Sequence, residues 1–352
     1  IVVVIPAALA VHRDLLVGSP RQVLGALTFS TNWLEIAHGS SYFDQTTPNL
    51  FKNLWSLAIE EQFYLLWPLI MLVVLALLLT WKSRLALAAA LALGSAGLMM
   101  VLYNGTNLTN LYYGTHTHSF GISIGVGLAF IWSDPRATVL GRHHWRRYSS
   151  WYGWAALAIL LVFMGIMPDT GPWGYLGGMF LASAVTAVII AAMLAPDSVF
   201  AVIGEGKVVR WIGTRSYGLY LWHWPALVIV SVLWPAALGS GEYLARSAVA
   251  LLVTGVICEL SYRFVETPIR KKGIRESVWQ MRDAVTQTVL GKLGALVVGG
   301  LVVATAVGLI VAPAKSQTQI MIEEQEAHTA IESVEEESAL DVDILPPLEE
   351  LS

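Results

Sequence analysis

Long, nearly uninterrupted apolar segments dominate the chain. A helix needs about 20 apolar residues to cross the ~30 Å hydrocarbon core of a bilayer, and the pattern predicts eight such helices, with residues 1–10 as the end of one more. Residues 22–37 are too short to assign as a span. The predicted fold is all-α, a polytopic transmembrane helix bundle of about eight full spans plus one partial span. The predicted spans lie near residues 54–79, 85–103, 112–132, 152–168, 173–194, 216–236, 244–262 and 290–312.

The distribution of Lys and Arg predicts the orientation of this bundle in the cell membrane. Sixteen of the 21 basic residues fall in one set of alternate loops, which the positive-inside rule places in the cytoplasm. The opposite loops near 104–111, 169–172 and 237–243 contain none. Residues 11–53 and the C-terminal tail are therefore expected on the extracytoplasmic side.

Composition excludes several classes of protein. Of the 352 residues, 56% are hydrophobic and 13% are charged, against about 25% charged in an ordinary soluble domain. So few polar residues cannot cover a soluble globule, and a disordered chain or a nucleic-acid binder is excluded. The one cysteine, Cys258, rules out a disulfide framework and a Cys-based zinc site. We expect it to be a core thiol, and we expect no metal.

The formal net charge of −4 is unevenly distributed. Residues 314–352 carry eleven acids and one base, a composition that predicts a solvated extracytoplasmic linker or a weak helix, and we assign this tail as disordered. A linker and final transmembrane helix occupy 276–313, and a membrane domain occupies 1–275. Ile1 lies within an apolar run, so we expect the native start to be missing, and we expect a further domain beyond the tail.

Two adjacent acids interrupt the first complete span. Ionisable residues inside a membrane are costly and are functional candidates by default. Glu60 and Glu61 lie roughly 10 Å below the outer end of the span, at 1.5 Å per residue. Adjacent side chains on a helix point about 100° apart, so we expect one carboxylate to face a cavity and the other to pair with a basic residue. The alternative is that both belong to a structural ion pair.

Three histidines are further candidates. His116 and His118 are two residues apart, so on a helix they face away from each other and are not expected to bind one metal ion. Either could carry a proton, or both could be structural. His223 follows Arg215 by two helical turns and is either a satisfied bundle residue or a site residue. Pro225 is expected to loosen the helix there.

A basic group marks the inner end of the predicted bundle. Glu259 and Arg263 are four residues apart and can pair on one helix face. Alternatively, Arg263 and the cluster Arg270–Lys271–Lys272 form a cationic mouth for an anionic, phosphorylated cofactor, although the positive-inside rule also accounts for such a cluster. The sequence thus suggests an outer polar cluster and an inner one. The outer cluster comprises Glu60, Glu61, His116 and His118, and the inner cluster comprises Arg215, His223, Glu259 and Arg263.

Four motifs occur in an order and spacing that resemble a known family. Together they closely resemble the acyltransferase type 3 family of membrane O-acyltransferases, which includes bacterial peptidoglycan and lipopolysaccharide O-acetyltransferases. The resemblance covers roughly residues 1–275. The motifs are WSLAIEEQFYLLWP at 55–68, YYGTHT at 112–117, RSYGLYLWHWP at 215–225 and SYRFVETPIRKK at 261–272.

The resemblance implies a reaction and its participants. Such proteins take an acyl group, usually acetyl, from cytoplasmic acyl-CoA and deliver it to a hydroxyl of a cell-envelope glycan. The final helix and acidic tail are similar to a variant that carries an extracytoplasmic SGNH-type domain, and membrane lipid is a further expected partner. Acetyl-CoA is the expected donor. The resemblance assigns Glu60, Glu61, His116, His118 and His223 to catalysis, and Arg215, Arg263, Arg270 and Lys271 to the phosphates of CoA.

The chain departs from the family pattern in two ways. We expect the family's first helices, with an Arg-containing motif and a His usually held to be catalytic, to be missing, and we expect residues 1–352 to be inactive if that His is essential. The family also often has Asp and Arg where His116 and His118 stand. Two other classes stay open: a transporter or exporter of a small solute or a lipid-linked sugar, and a membrane scaffold whose acidic tail recruits partners.

Overall fold

Helices form nearly all of the regular structure in the computed structural model, which describes residues 1–39, 49–106, 108–168 and 171–343. Seven helices in this part of the chain are long and apolar enough to cross a membrane. The all-α, multi-spanning fold and seven of the eight predicted spans are therefore confirmed. The seven are Leu54–Leu77, Trp81–Leu102, His143–Ile166, Gly174–Met193, Lys207–Leu233, Gly241–Gln287 and Val289–Ile310.

Short helices precede the first span and separate some of the others. Before the first span the chain forms α1 (Val4–Val11), a 3-10 turn (Arg13–Leu16), α2 (Ser19–Leu27) and α3 (Thr31–Ala37). The next helices are α4 (Leu54–Leu77), α5 (Trp81–Leu102), α6 (Leu108–Tyr113), α7 (Thr115–His118), α8 (Phe120–Ser133) and α9 (His143–Ile166). A π-helical turn (Gly174–Gly178) leads into α10 (Met179–Met193), followed by α11 (Val199–Glu205), α12 (Lys207–Leu233) and α13 (Gly241–Ser261). A second π-helical turn (Tyr262–Glu266) leads into α14 (Thr267–Gln287), α15 (Val289–Ile310) and α16 (Gln317–Asp343).

The predicted span at 112–132 is broken into α6, α7 and α8. The break begins at Gly114, where a Cβ would lie 2.5 Å from Thr117 Oγ1 and 2.9 Å from the Asn110 carbonyl oxygen. The buried Thr117 hydroxyl donates to the carbonyls of Leu111 (2.7 Å) and Gly114 (3.1 Å), replacing bonds that a continuous helix would make. The interruption is therefore satisfied internally, as backbone at membrane depth must be.

Small residues let the helices approach closely. In the first group of helices, α5 packs against α8, and α10 packs against α8 and α9. A Cβ at Gly127 on α8 would lie 3.6 Å from the Ala88 Cβ on α5, whereas Gly125 has open space. In the second group α12 packs against α13, and α1 packs against α12 and α15. Cys258, on α13, is fully buried, as expected of a core thiol.

The acidic tail differs from the assigned disorder. Residues Gln317–Asp343 form α16, because this segment is rich in Glu, Gln and Ala, which are good helix formers. Its start is held by the Gln317 N–H, which donates to Asp14 Oδ2 at 3.1 Å, and by the ion pair of Lys315 with Glu323. Residues 344–352 and 40–48 fall outside the described residues.

Candidate active site

A cavity of about 450 Å³ lies between α4, α12, the end of α13 and residues 1–4, which lead into α1. We call the end of the bundle that carries α2 and α3 the outer end, and the end that carries the Arg-rich loops the inner end. The cavity extends from α2 and α3 to the π-helical turn after α13, and most of its wall is aliphatic. Its polar side chains are Thr31, Glu61, Tyr217, Trp222 and Ser261.

Glu61 and Glu60 have different surroundings. Glu61 lines the cavity, whereas Glu60 lies on the adjacent, exposed face of α4. This agrees with the expectation that only one of them faces a cavity. The expected basic partner of the other is not found, since none of the ion pairs among the described residues involves Glu60 or Glu61. Tyr217, on α12, lines the same cavity as Glu61.

The third residue of this motif, Gln62, ties the outer helices to α4. Its Nε2 donates to the Phe29 carbonyl (2.7 Å) and to Asn32 Oδ1 (3.1 Å), and its Oε1 accepts from the Thr115 hydroxyl (2.8 Å). Asn32 Nδ2 in turn donates to Thr115 Oγ1 and to the Tyr113 carbonyl, each at 3.0 Å. This network joins α3, α4 and the break at Gly114, and thereby fixes the rotation of α4 that places Glu61 at the cavity.

Neither His116 nor His118 lines the cavity. His116 is exposed at the outer end, where its ring stacks on Trp33 with centroids 5.8 Å apart. His118 packs among aromatic rings, with centroids 5.3 Å from Trp55, 5.1 Å from Tyr112 and 5.5 Å from Phe120. The two side chains are thus in separate environments, as their spacing predicted.

The structure places His223 away from the inner cluster to which it was assigned. Its Nδ1 lies 2.6 Å from the Tyr220 carbonyl oxygen, which also accepts from Asn53 Nδ2 at 2.7 Å. Asn53 directly precedes α4, at the outer end. Because α12 rises from the inner end and α4 descends from the outer end, His223 lies about 12 Å above Arg215 at 1.5 Å per residue. The assignment to the inner cluster was therefore wrong.

The other residues of the inner cluster do meet. Glu259 accepts from Arg215 Nε at 2.5 Å and also pairs with Arg263, so the predicted i,i+4 pair is confirmed. The Arg215 guanidinium lies 4.1 Å from the ring centroid of Tyr262 and 4.9 Å from that of Trp211. Arg215 is mostly covered, whereas the Arg263 side chain is 68% exposed.

Arg270 and Lys271 are exposed on α14 and are not brought into this ion-pair cluster. Among the described residues no group of three His, Cys, Asp or Glu side chains is arranged to hold a metal ion.

Sequence reasoning missed three residues at the cavity or beside it. Tyr217 and Trp222 line it, and Glu266 Oε1 would lie 3.3 Å from a Cβ at Gly218. All three belong to the recognised motifs. Aromatic residues in a span are also expected in the interfacial belt, so their type alone does not separate a site role from an anchoring one.

Comparison with known proteins agrees with the motifs. The model of the acyltransferase type 3 family, which describes an acyltransferase domain, matches residues 4–260. The chain is 36% identical over 275 residues to the peptidoglycan O-acetyltransferase OatA of Listeria monocytogenes, covering 78% of this chain and 44% of that protein. It is 35% identical over 296 residues to the putative peptidoglycan O-acetyltransferase YrhL of Bacillus subtilis, covering 80% and 45%.

The O-acetyltransferase OatA of Staphylococcus aureus is 37% identical over 281 residues, with 78% of this chain and 45% of that protein covered. The chain thus spans less than half the length of the curated relatives that it matches. No solved structure matches the chain.

Proposed function

Because the chain belongs to the acyltransferase type 3 family, we propose that it transfers an acyl group, in the first place acetyl, from cytoplasmic acyl-CoA to a hydroxyl of a cell-envelope glycan. The acceptor class follows from the relatives, two of which carry names that describe peptidoglycan O-acetyltransferases. In this proposal the protein lies in the cell membrane with α16 on the extracytoplasmic side. Membrane lipid surrounds it, and an SGNH-type domain is a further partner.

The observation that carries the proposal is the cavity with Glu61 in its wall. It connects the outer helices with the end of α13, next to the cluster formed by Arg215, Glu259 and Arg263. A transferase that takes its donor from one side of a membrane and serves an acceptor on the other needs such a passage. Its aliphatic wall suits an acyl group, and its few polar groups suit the reacting atoms.

We assign the chemistry in the cavity to Glu61 and Tyr217. The acyl C–S bond breaks, a C–O bond to the acceptor hydroxyl forms, and the hydroxyl proton ends on the CoA thiol. Glu61 accepts that proton as general base, a role that typically contributes 10²–10⁴-fold to a rate. Tyr217 lines the same cavity as Glu61, and its hydroxyl can hold a proton there. Glu60, His116, His118 and His223 do not line the cavity, so we give them supporting roles at most.

We assign donor binding to the inner end. Glu259 neutralises part of the charge of Arg215 and holds it between two aromatic rings, so Arg215 mainly shapes the mouth. Arg263 is exposed and keeps N–H groups available for a phosphate. Arg270 and Lys271 add positive charge on α14, where they would attract CoA, which carries several phosphate charges. The proposed donor is acetyl-CoA.

The test uses the full-length protein in membranes, supplied with ¹⁴C-acetyl-CoA, and counts label in base-labile esters of envelope glycan. We expect Glu61→Gln to lose at least 10²-fold in rate. The loss of rate in Glu60→Gln should be at least ten times smaller than the loss in Glu61→Gln, because the Glu60 side chain does not line the cavity. Glu242→Gln, an exposed carboxylate at the start of α13, is the matched control and should keep the wild-type rate.

Two results would contradict the proposal. An equal loss in Glu61→Gln and Glu242→Gln would remove Glu61 from the chemistry. Absence of label with folded wild-type protein, together with accumulation of an unmodified solute, would instead favour a transporter.

A further inference from the structure

A second cavity, which we call the apolar groove, lies between α5, α8 and α10 and has a volume of about 400 Å³. Its wall consists mostly of Ala, Leu, Ile and Val side chains, and no charged side chain of the described residues lines it. Ala89 and Leu93 line it from α5 and are exposed. Because α5 spans the membrane, the groove opens towards lipid rather than towards water.

The length of the apolar groove matches one leaflet of a bilayer. Its wall runs from Leu85 to Leu93 on α5 and from Phe180 to Ala191 on α10. At 1.5 Å per residue these stretches are about 12 and 16 Å long, close to half of the ~30 Å hydrocarbon core. Leu85 and Ala191 lie near the inner ends of their helices. The groove therefore covers the leaflet at the inner end of the bundle.

A polar cavity of about 480 Å³ adjoins the apolar groove at this inner end. Ile131, on α8, lines both spaces. Trp145, near the start of α9, lines the groove, while Arg142 and Arg146 line the polar cavity. The beginning of α9 thus places two cationic side chains where the apolar groove ends.

The protein compensates only part of the positive charge in the polar cavity. Arg146 donates its Nε to Asp197 Oδ2 at 2.9 Å, and both side chains are about half exposed. The lining carboxylate Asp134 is paired with Arg136. Arg142 takes part in none of the ion pairs in the part of the chain that the structure describes. A negatively charged group bound there would therefore meet an uncompensated cation.

The ligand that suits both spaces together is a phospholipid with a net negative headgroup. Its acyl chain needs only apolar contacts, whereas a sugar or a nucleotide in the groove would leave polar groups unpaired. A free phosphate would not use the groove, and phosphatidylcholine, which has no net charge, would gain less from Arg142. Basic pockets between transmembrane helices bind anionic headgroups in other membrane proteins.

We propose that one anionic phospholipid binds here, with an acyl chain in the apolar groove and its phosphate bound by Arg142 and Arg146. The site is separate from the cavity that Glu61 lines. It goes beyond the proposed function and does not depend on it. A lipid that binds the folded protein in this way also stabilises the folded state.

The test measures lipid binding by native mass spectrometry of the full-length protein in a non-ionic detergent. Dioleoylphosphatidylglycerol is titrated as the anionic probe, and dioleoylphosphatidylcholine, with the same chains, as the probe without net charge. We expect the wild type to bind phosphatidylglycerol at least fivefold more tightly. Equal affinities for the two lipids would overturn the inference.

Two charge variants locate the headgroup. Arg142→Gln should weaken phosphatidylglycerol binding about fivefold, which corresponds to about 1 kcal/mol for one basic residue near an anionic lipid. Its effect on phosphatidylcholine should be less than twofold. Arg147→Gln is the matched control, because Arg147 is exposed on the same helix but lines neither space, and it should stay within twofold of the wild type. Equal losses in both variants would show diffuse attraction to the basic loops and would overturn the site.

Asp197→Asn gives a result that a merely structural role would not. It releases Arg146 from its ion pair, so phosphatidylglycerol binding should become two- to fivefold tighter. If Asp197 and Arg146 only held the inner loops together, the same change would weaken binding or leave it unaltered. Either of those results would remove Arg146 from the headgroup site.

Groove-filling variants locate the acyl chain. Ala89→Phe should weaken binding of both lipids at least tenfold, whereas Ala90→Phe, at an exposed position on α5 outside the groove, should stay within twofold. Ala187→Leu, which fills the groove from α10, decides the question if Ala89→Phe does not fold. Unchanged lipid binding in the groove-filling variant would overturn the inference. So would a dimer mass that this variant abolishes, because a second copy of the chain would then occupy the groove.

Discussion

Replacing Thr115 by Val tests whether the hydrogen-bond network around Gln62 holds the outer helices on α4. Val has nearly the same shape as Thr but no hydroxyl, so packing is kept. The change removes the bond donated to Gln62 Oε1 (2.8 Å) and the bond accepted from Asn32 Nδ2 (3.0 Å). Both bonds connect the break at Gly114 to other helices, so their loss acts on tertiary structure.

The size of the effect follows from the two lost bonds. Hydrogen bonds between helices in membrane proteins average about 0.6 kcal/mol and reach about 1.7 kcal/mol. Two bonds therefore predict a loss of about 1–3 kcal/mol in the free energy of unfolding. At about 2–4 °C per kcal/mol, the scale for large domains, Tm should fall by several degrees. Thr186→Val is the control, because that exposed hydroxyl bonds only the Ala182 carbonyl of its own helix.

The chain contains its own reporter for this measurement. Cys258 is the one cysteine and is fully buried, so a thiol-reactive fluorogenic dye will label detergent-solubilised protein only as it unfolds. The double variant Gln62→Leu/Thr115→Val should be more stable than the sum of the single losses predicts, since both changes remove one shared bond. A Thr115→Val melting curve that coincides with that of Thr186→Val would refute the reasoning.

Three further predictions concern α12, α13 and the turn that follows α13. Gly218→Ala should lower the free energy of unfolding by about 1–3 kcal/mol, because its Cβ would lie 2.8 Å from Cys258 Sγ. Gly213→Ala, on the same helix, meets open space and should be neutral or stabilising. Thermal unfolding followed by circular dichroism measures both variants, and equal shifts in Tm would contradict close packing at Gly218. Glu259→Gln should lower Tm because it removes the carboxylate that two guanidinium groups share. Arg263→Gln should change stability by less than about 0.5 kcal/mol but raise KM for acyl-CoA several-fold, and an unchanged KM would remove Arg263 from donor binding.

The spans could be predicted because the bilayer leaves the backbone little choice. A lipid-exposed segment must satisfy its own N–H and C=O groups, so a long apolar run becomes a helix whatever it packs against. The ion pair of Glu259 and Arg263 could also be predicted from the sequence, since it depends only on helical spacing. The break at Gly114 was missed because hydropathy averages over a window, while the break depends on one glycine and on the Thr117 hydroxyl that satisfies the freed carbonyls.

The positions of the polar residues around the cavity were decided by packing. The sequence determined that Glu60 and Glu61 cannot face the same way, but the rotation of α4 placed Glu61 at the cavity. That rotation is fixed by Gln62 through residues at least 30 positions away in the chain. Likewise, only the antiparallel contact of α12 with the start of α4 shows that His223 lies towards the outer end. Local sequence sets which residues a helix presents, but which of them meet depends on how neighbouring helices are rotated and on their relative height, and both come from contacts distant in sequence.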